Sequence, residues 1–225
     1  MESEAKAGAK GAGAEPERQE GTTERESGAA VRLEKQLRFL LEADKSKQVF
    51  RQTYLSDGSR KENDAEHAWH MAIMTILLSE YSNEKIDVLK TVTMLLIHDL
   101  VEIDAGDTYA YDEEGKKTKR TRELAAADRI FGLLPEDQGE KLRALWDEFE
   151  EGETAEAKFA HGMDHIQPLM LNAATEGKSW KEHGIRLSQV LGRNQNTAEG
   201  SEILWEYAYQ KFIAPNVEKG RLKRD

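Results

Sequence analysis

The run His98-Asp99-Leu100-Val101-Glu102-Ile103-Asp104-Ala105-Gly106-Asp107 concentrates more reactive side chains than its surroundings. It follows directly on the apolar residues Val92, Met94, Leu95, Leu96 and Ile97. An ionisable group at the end of a buried run is costly unless it is paired, hydrogen-bonded or bound to a metal ion. On a continuous helix His98 and Glu102 lie four residues apart and Asp99 and Glu102 three apart, so all three share one side. An imidazole and two carboxylates then enter one space, which predicts a divalent metal ion and hydrolytic chemistry.

Two further segments carry similar residues. Glu66-His67-Ala68-Trp69-His70 lies upstream, and Ala160-His161-Gly162-Met163-Asp164-His165-Ile166-Gln167 lies downstream. Both fall on predicted helices with apolar neighbours, and side chains on facing helices of a bundle are a common frame for a metal. On the downstream helix Asp164 projects about 100° from His165 and about 60° from His161. One helix cannot easily aim all three at the same ion. Asp164 is therefore expected to point inward, and the two histidines to support the structure around it. His70 is the alternative ligand to His67, and Trp69 is expected in the core.

The elements that must position these residues are helices. Leu33, Leu37, Leu40 and Leu41 predict an amphipathic helix over 31–44. Asn63 or Asp64 can cap a helix reaching about Ser79, and the next is expected at about 85–103, stopped by Gly106. Residues 109–117 read as a polar loop. Further helices are expected at about 119–133, 135–150, 154–175, 180–192 and 197–213. No strand alternation of useful length is visible. The fold class expected is an all-α bundle: one helical domain over 31–225, preceded by a disordered tail over 1–30 that is rich in Ala, Gly and Glu.

Composition narrows the function. Among 225 residues, 43 acidic side chains outnumber 32 basic ones, for a net charge of −11, without the basic stripe of a nucleic-acid binder. There is no cysteine, so neither disulfides nor thiolate metal sites arise. No apolar run approaches the roughly 18–20 residues that span a bilayer, and no signal-like segment opens the chain. The expectation is a cytoplasmic protein acting on a small molecule, with neither a nucleic-acid polymer nor a membrane as partner.

The order His67, His98-Asp99, Asp164 resembles the HD-domain metal-dependent phosphohydrolases. The longer pattern His-Asp-x-x-Glu-x-x-x-Gly-Asp, here His98 to Asp107, resembles the branch that contains the bacterial 5'-deoxynucleotidases. Arg51-Gln52-Thr53-Tyr54 stands where that branch has an Arg-x-x-Trp segment. The resemblance covers roughly residues 33–195. It implies that His67, His98, Asp99 and Asp164 hold one divalent metal ion, drawn from Mn, Co, Mg, Zn or Fe. It implies Glu102 as the acid/base carboxylate, Arg51 as the phosphate-binding arginine and Asp107 as a nucleotide contact. Tyr54 in place of Trp leaves the base or sugar preference open. The resemblance also favours a homodimer, and the apolar faces around Leu204, Trp205, Tyr207, Tyr209 and Phe212 could complete the core or form the dimer surface.

The activity expected is release of phosphate from a small nucleotide, a 5'-deoxynucleoside monophosphate above others. The alternatives are a phosphodiesterase, a hydrolase of another phosphorylated metabolite, and a nucleotide-binding protein without catalysis. Lys116, Lys117, Lys119, Arg120 and Arg122 form a basic run over 112–122, expected as a solvated face or a lid over an anionic substrate.

Overall fold

The computed structural model describes residues 17–225. Helix α1 spans Glu17–Ala43, so the helix expected at 31–44 is its C-terminal part. Residues 1–16, within the expected tail, lie outside the described residues. A 3₁₀ turn at Asp44–Gln48 leads into a small hairpin of β1, Phe50–Tyr54, and β2, Lys61–Asn63. Strands of five and three residues are too short to show alternation in the sequence. The pairing runs from Phe50 opposite Asn63 to Tyr54 opposite Lys61, so β1 carries extra residues that bulge out of register. Arg51 lies in that bulged stretch, and bulges re-aim side chains.

Helix α2, Asp64–Leu78, starts with a capping box in which Asn63 and Glu66 satisfy each other's backbone N–H groups. Asp87 caps α3, Val88–Ile97, by accepting from the Lys90 N–H at 3.0 Å. The helix expected at 85–103 is not continuous. It stops at Ile97, tightens into a 3₁₀ turn over His98–Val101, and resumes as the short α4, Glu102–Ala105. Gly106, at φ 75°, ends α4 in a conformation that side chains resist and turns the chain toward Asp107.

Helix α5 spans Glu113–Phe131, α6 Glu136–Glu151 and α7 Ala155–Ala174. The run 112–122 is thus mostly the first half of α5. Asp112 caps it by accepting from the Glu114 and Gly115 N–H groups. Two short helices follow, α8 at Lys178–His183 and α9 at Leu187–Arg193. The C-terminal part consists of α10, Thr197–Gly200, α11, Glu202–Ala208, a π turn over Tyr209–Ile213, and α12, Ala214–Glu218. Among the described residues no helix is long and apolar enough to cross a membrane.

Helix α7 is the axis of the assembly. Phe159, Ala160, Met163, Ile166 and Leu169 recur at helical spacing and are buried against Met71 of α2, Met94 and Leu95 of α3, and the C-terminal helices. Each large side chain fully buried here contributes about 1.5–3 kcal/mol. At Gly200 a Cβ would lie 2.4 Å from the Lys158 carbonyl oxygen, so glycine lets α10 press against α7. A second apolar cluster gathers Phe39, Val101, Ala127, Ile130, Phe131 and Trp146. Leu95 belongs to the first cluster and Val101 to the second, which leaves His98 and Asp99 at the seam between them.

Leu204, Trp205 and Phe212 pack against the first cluster, while Tyr207 and Tyr209 face outward. Trp69, expected in the core, is 64% exposed. It lies two residues from the buried His67, about 200° around the helix, and so on the opposite face. Ile73, Ile76 and Leu77 continue that outer strip of α2.

Candidate metal centre

The four expected ligands are delivered by three local devices. His67 sits in the first turn of α2, set by the capping box, and is wholly buried. Asp164 projects from the middle of α7. His98 and Asp99 come from the 3₁₀ turn. In a 3₁₀ turn residues three apart eclipse, so Asp99 and Glu102 stack along one line and His98 is offset from them. The Trp146 indole N–H donates to the His98 carbonyl at 3.1 Å and satisfies one backbone group of that turn.

The structure brings these side chains together in two adjoining groups. His67, His98 and Asp164 have ligand atoms within 4.8 Å of one another, and so do Asp64, Asp99 and Glu102. His67 Nε2 lies 3.1 Å from Asp164 Oδ1, and His98 Nε2 lies 3.0 Å from Asp99 Oδ2. Arg51 reaches between the groups from β1. It donates to Asp99 Oδ2 at 2.8 Å and lies 3.8 Å from both Asp64 Oδ1 and Asp164 Oδ1. Asp107, Glu102 and Arg51 all line the same cavity, of about 580 Å³, with Tyr109 and Tyr111 on its wall. Such a volume suits a small ligand.

These residues fit a divalent cation on three counts. First, the histidines are oriented from behind. His98 Nδ1 is 2.9 Å from the Leu95 carbonyl, which only accepts, so Nδ1 carries the proton and Nε2 faces the carboxylates. His67 Nδ1 lies 3.4 Å from Glu62 Oε1, and Gln167 donates to the other Glu62 oxygen at 2.9 Å. A carboxylate behind a histidine is the usual support of a metal ligand. Second, both Asp64 oxygens and Glu102 Oε2 are buried without a hydrogen-bond partner. Third, the carboxylates of Glu62, Asp64, Asp99, Glu102, Asp107 and Asp164 outnumber the nearby cations Arg51, Lys119 and Arg193.

Crowded acids divide into two kinds. Burial raises Asp99, but His98 and Arg51 outweigh it and hold the carboxyl below its usual range. Burial likewise opposes Asp164, which His67 and Arg193 keep well below the ordinary value. Glu102 is pushed well above its usual range by burial first, then by Asp99 and Asp107. Asp64 rises to about 8 for the same reasons, burial and then Asp99. Asp107 is raised by burial. Both histidines are raised: burial lowers them, but Asp164 and Glu62 at His67, and Asp99 at His98, prevail.

Other expected residues lie elsewhere. Tyr54 is not brought to the cavity; its hydroxyl donates to Glu182 at 2.9 Å and its ring sits under Lys178. Tyr109 and Tyr111, packed edge to face at 5.2 Å, supply the aromatic wall instead. His161 Nε2 is 2.7 Å from the Phe149 carbonyl and His165 Nδ1 is 2.8 Å from Thr197 Oγ1, both turned to supporting contacts. His70 meets Gln167 at 3.2 Å, outside the histidine pair. Sequence reasoning missed Glu62, Asp64 and Arg193. Asp64 was legible only as a cap, because Asn63 beside it competes for that role. Arg193 has no local signal at all. It donates to Asp164 Oδ2 at 2.8 Å from α9. Lys119, in the basic run, faces the cavity from α5.

An all-α frame that gathers His67, His98-Asp99 and Asp164 defines a class, and the family model of the HD domain matches residues 43–205. The chain belongs to the HD-domain family. It is similar to the 5'-deoxynucleotidase HDDC2 of Homo sapiens, with 32% identity over 111 residues, or 49% of this chain and 53% of the human one. The chain thus spans about half the length of that relative. It is 31% identical to the 5'-deoxynucleotidase hdd1 of Schizosaccharomyces pombe over 168 residues, 68% of this chain and 83% of the yeast protein. Among solved structures, a predicted metal-dependent phosphohydrolase from Magnetospirillum magnetotacticum MS-1 superposes with a TM-score of 0.81. The two share 48% identity across 85% of this chain and 95% of the other.

Proposed function

We propose that this protein is a metal-dependent phosphohydrolase that releases phosphate from a small nucleotide, foremost a 5'-deoxynucleoside monophosphate. The observation that carries the reading is that His98, Asp99 and Asp164 line a cavity that also holds Arg51 and the buried Glu102, while the buried His67 has a ligand atom within 4.8 Å of those of His98 and Asp164. The names of the human and yeast relatives point to the same substrate class.

His67, His98, Asp99 and Asp164 would hold one divalent cation, whose chemistry is to acidify bound water and polarise a phosphoryl oxygen. Arg51 presents a planar fork that can take two phosphate oxygens, a geometry lysine does not reproduce. To do so it exchanges its bond to Asp99 for the substrate. Glu102 keeps its proton because burial and neighbouring carboxylates disfavour its charge. It can therefore donate that proton to the departing sugar oxygen. Asp107 follows Gly106 onto the cavity wall, where a carboxylate can accept a hydroxyl of the sugar.

The test uses purified protein stripped of metal and resupplied with Mn, Co, Mg or Zn. Phosphate release is then measured from nucleoside mono-, di- and cyclic phosphates. Release from deoxynucleoside monophosphates with at least one metal is expected. Silence in every combination refutes the reading, and turnover of cyclic phosphates alone would replace it with a phosphodiesterase. As part of the same reading we propose a cytoplasmic homodimer in which a second copy covers the outward strip of Trp69, Ile73, Ile76 and Leu77. Sedimentation should give a dimer that Ile76→Glu dissociates; a monomeric native chain refutes it.

A further inference from the structure

We infer that Arg193 is the positioning residue of Asp164: it holds one carboxylate oxygen from α9 so that the other is presented to the cation. This rests on the metal-site reading above. Asp164 is buried, and its two oxygens face different partners. Oδ1 lies 3.1 Å from His67 Nε2 and 3.8 Å from an Arg51 nitrogen, on the side where the histidines converge. Oδ2 accepts from Arg193 at 2.8 Å. A carboxylate has lone pairs enough on each oxygen to serve two partners at once. The charge-assisted bond from an arginine that never loses its proton locks rotation about the carboxyl and removes one oxygen from competition. Without it, Asp164 is free to turn and could offer either oxygen.

Both expected histidine ligands are supported from behind: His98 by the Leu95 carbonyl and His67 by Glu62 with Gln167. For Asp164 the matching contact comes from outside the His-Asp segments, on a helix that no expected motif includes. The supporting side chain is also accessible. Arg193 lines the cavity and its side chain is 39% exposed, and the buried Asp164 that it would leave behind keeps His67 as a partner at 3.1 Å, so its removal strands no buried charge. That separates positioning from a plain contribution to folding.

The test is isothermal titration of Mn²⁺ into metal-stripped native protein, Arg193→Gln and Arg193→Lys, with the melting temperature of each metal-free protein measured alongside. Loss of such a supporting contact typically weakens metal affinity by about 10- to 100-fold. Arg193→Gln should lose affinity on that scale while its metal-free melting temperature stays near that of the native protein. Arg193→Lys should recover part of the loss, because a cation returns without the planar fork. Unchanged Mn²⁺ affinity in Arg193→Gln overturns the inference while leaving the metal-site reading intact. Equal weakening in Arg193→Lys and Arg193→Gln also overturns it, since the charge-assisted bond would then not be the cause. If the native protein itself takes up no Mn²⁺ and no other divalent ion, the metal-site reading fails and the inference falls with it.

Discussion

Replacing Glu102 by glutamine isolates the proton from the rest of the site. The substitution keeps the side chain's size and removes its exchangeable acid. Glu102 is 4% exposed and one of its oxygens has no partner, so little is lost in packing or hydrogen bonding. Its shift above the usual carboxylate range, from burial and then from Asp99 and Asp107, means that the native residue is protonated where ordinary carboxylates are not. A positioned general acid contributes about 100- to 10,000-fold, or about 2.7–5.5 kcal/mol of barrier. Glu102→Gln should therefore lower kcat on a deoxynucleoside monophosphate by that factor. The alkoxide of a sugar is a poor leaving group that needs the proton, whereas p-nitrophenolate leaves without one. On p-nitrophenyl phosphate the same variant should lose less than about tenfold. The pH dependence carries a definite sign: native activity falls as pH rises through the raised ionisation of Glu102, and this limb disappears in the variant. Steady-state kinetics on both substrates, with metal content measured in parallel, decides the matter. Equal losses on the two substrates, or an unaltered alkaline limb, would refute the assignment of Glu102 as proton donor.

Three further outcomes follow from the same geometry. Asp99→Ala should abolish metal uptake and turnover, because it removes an expected ligand; the Arg51 guanidinium loses its partner at 2.8 Å but keeps Glu62, Asp64 and Asp164 within 3.8 Å as buried counter-charges. Retained metal in that variant would overturn the ligand assignment. His165 is lowered to about 3, by burial first and then by Arg193, so the unfolded chain binds its proton earlier than the folded one. Its contribution is complete above about pH 6.5 and is lost as pH falls toward the folded value, at about 1.4 kcal/mol per pH unit. His165→Gln should flatten the unfolding free energy of metal-free protein between about pH 6.5 and 4.5, and parallel curves for the two proteins would contradict this account. Trp146→Phe removes the donor to the His98 carbonyl and should cost about 1–3 kcal/mol by thermal or urea unfolding; a neutral effect would mean that this bond does not hold the His-Asp turn.

Much of the frame is legible without coordinates. The helices over 64–78, 136–151 and 155–174 follow from apolar spacing and from capping residues, which act within one or two turns. The His98-Asp99 segment declares itself because charge at the end of an apolar run demands a partner. What the pattern hides is the break at Ile97. The apolar residues before it have the same spacing whether the helix continues or tightens into a 3₁₀ turn, and only packing between the two core clusters decides.

Contacts across long stretches of chain are a different matter. Arg51 reaches Asp99 because the hairpin bulges, and that depends on a pairing between strands too short to be visible beforehand. Tyr54, equally suggestive in the sequence, points to Glu182 on the surface, while Tyr109 and Tyr111 line the cavity. Arg193 meets Asp164 from 29 residues away with no periodicity or motif to announce it. Sequence by itself determined which residue types were available and which helices would carry them, because helix spacing and capping are local. Tertiary structure alone decided which of them share a cavity, which oxygen each carboxylate presents and which acid keeps its proton. Those outcomes depend on burial and on neighbouring charges, and both exist only once the chain is packed.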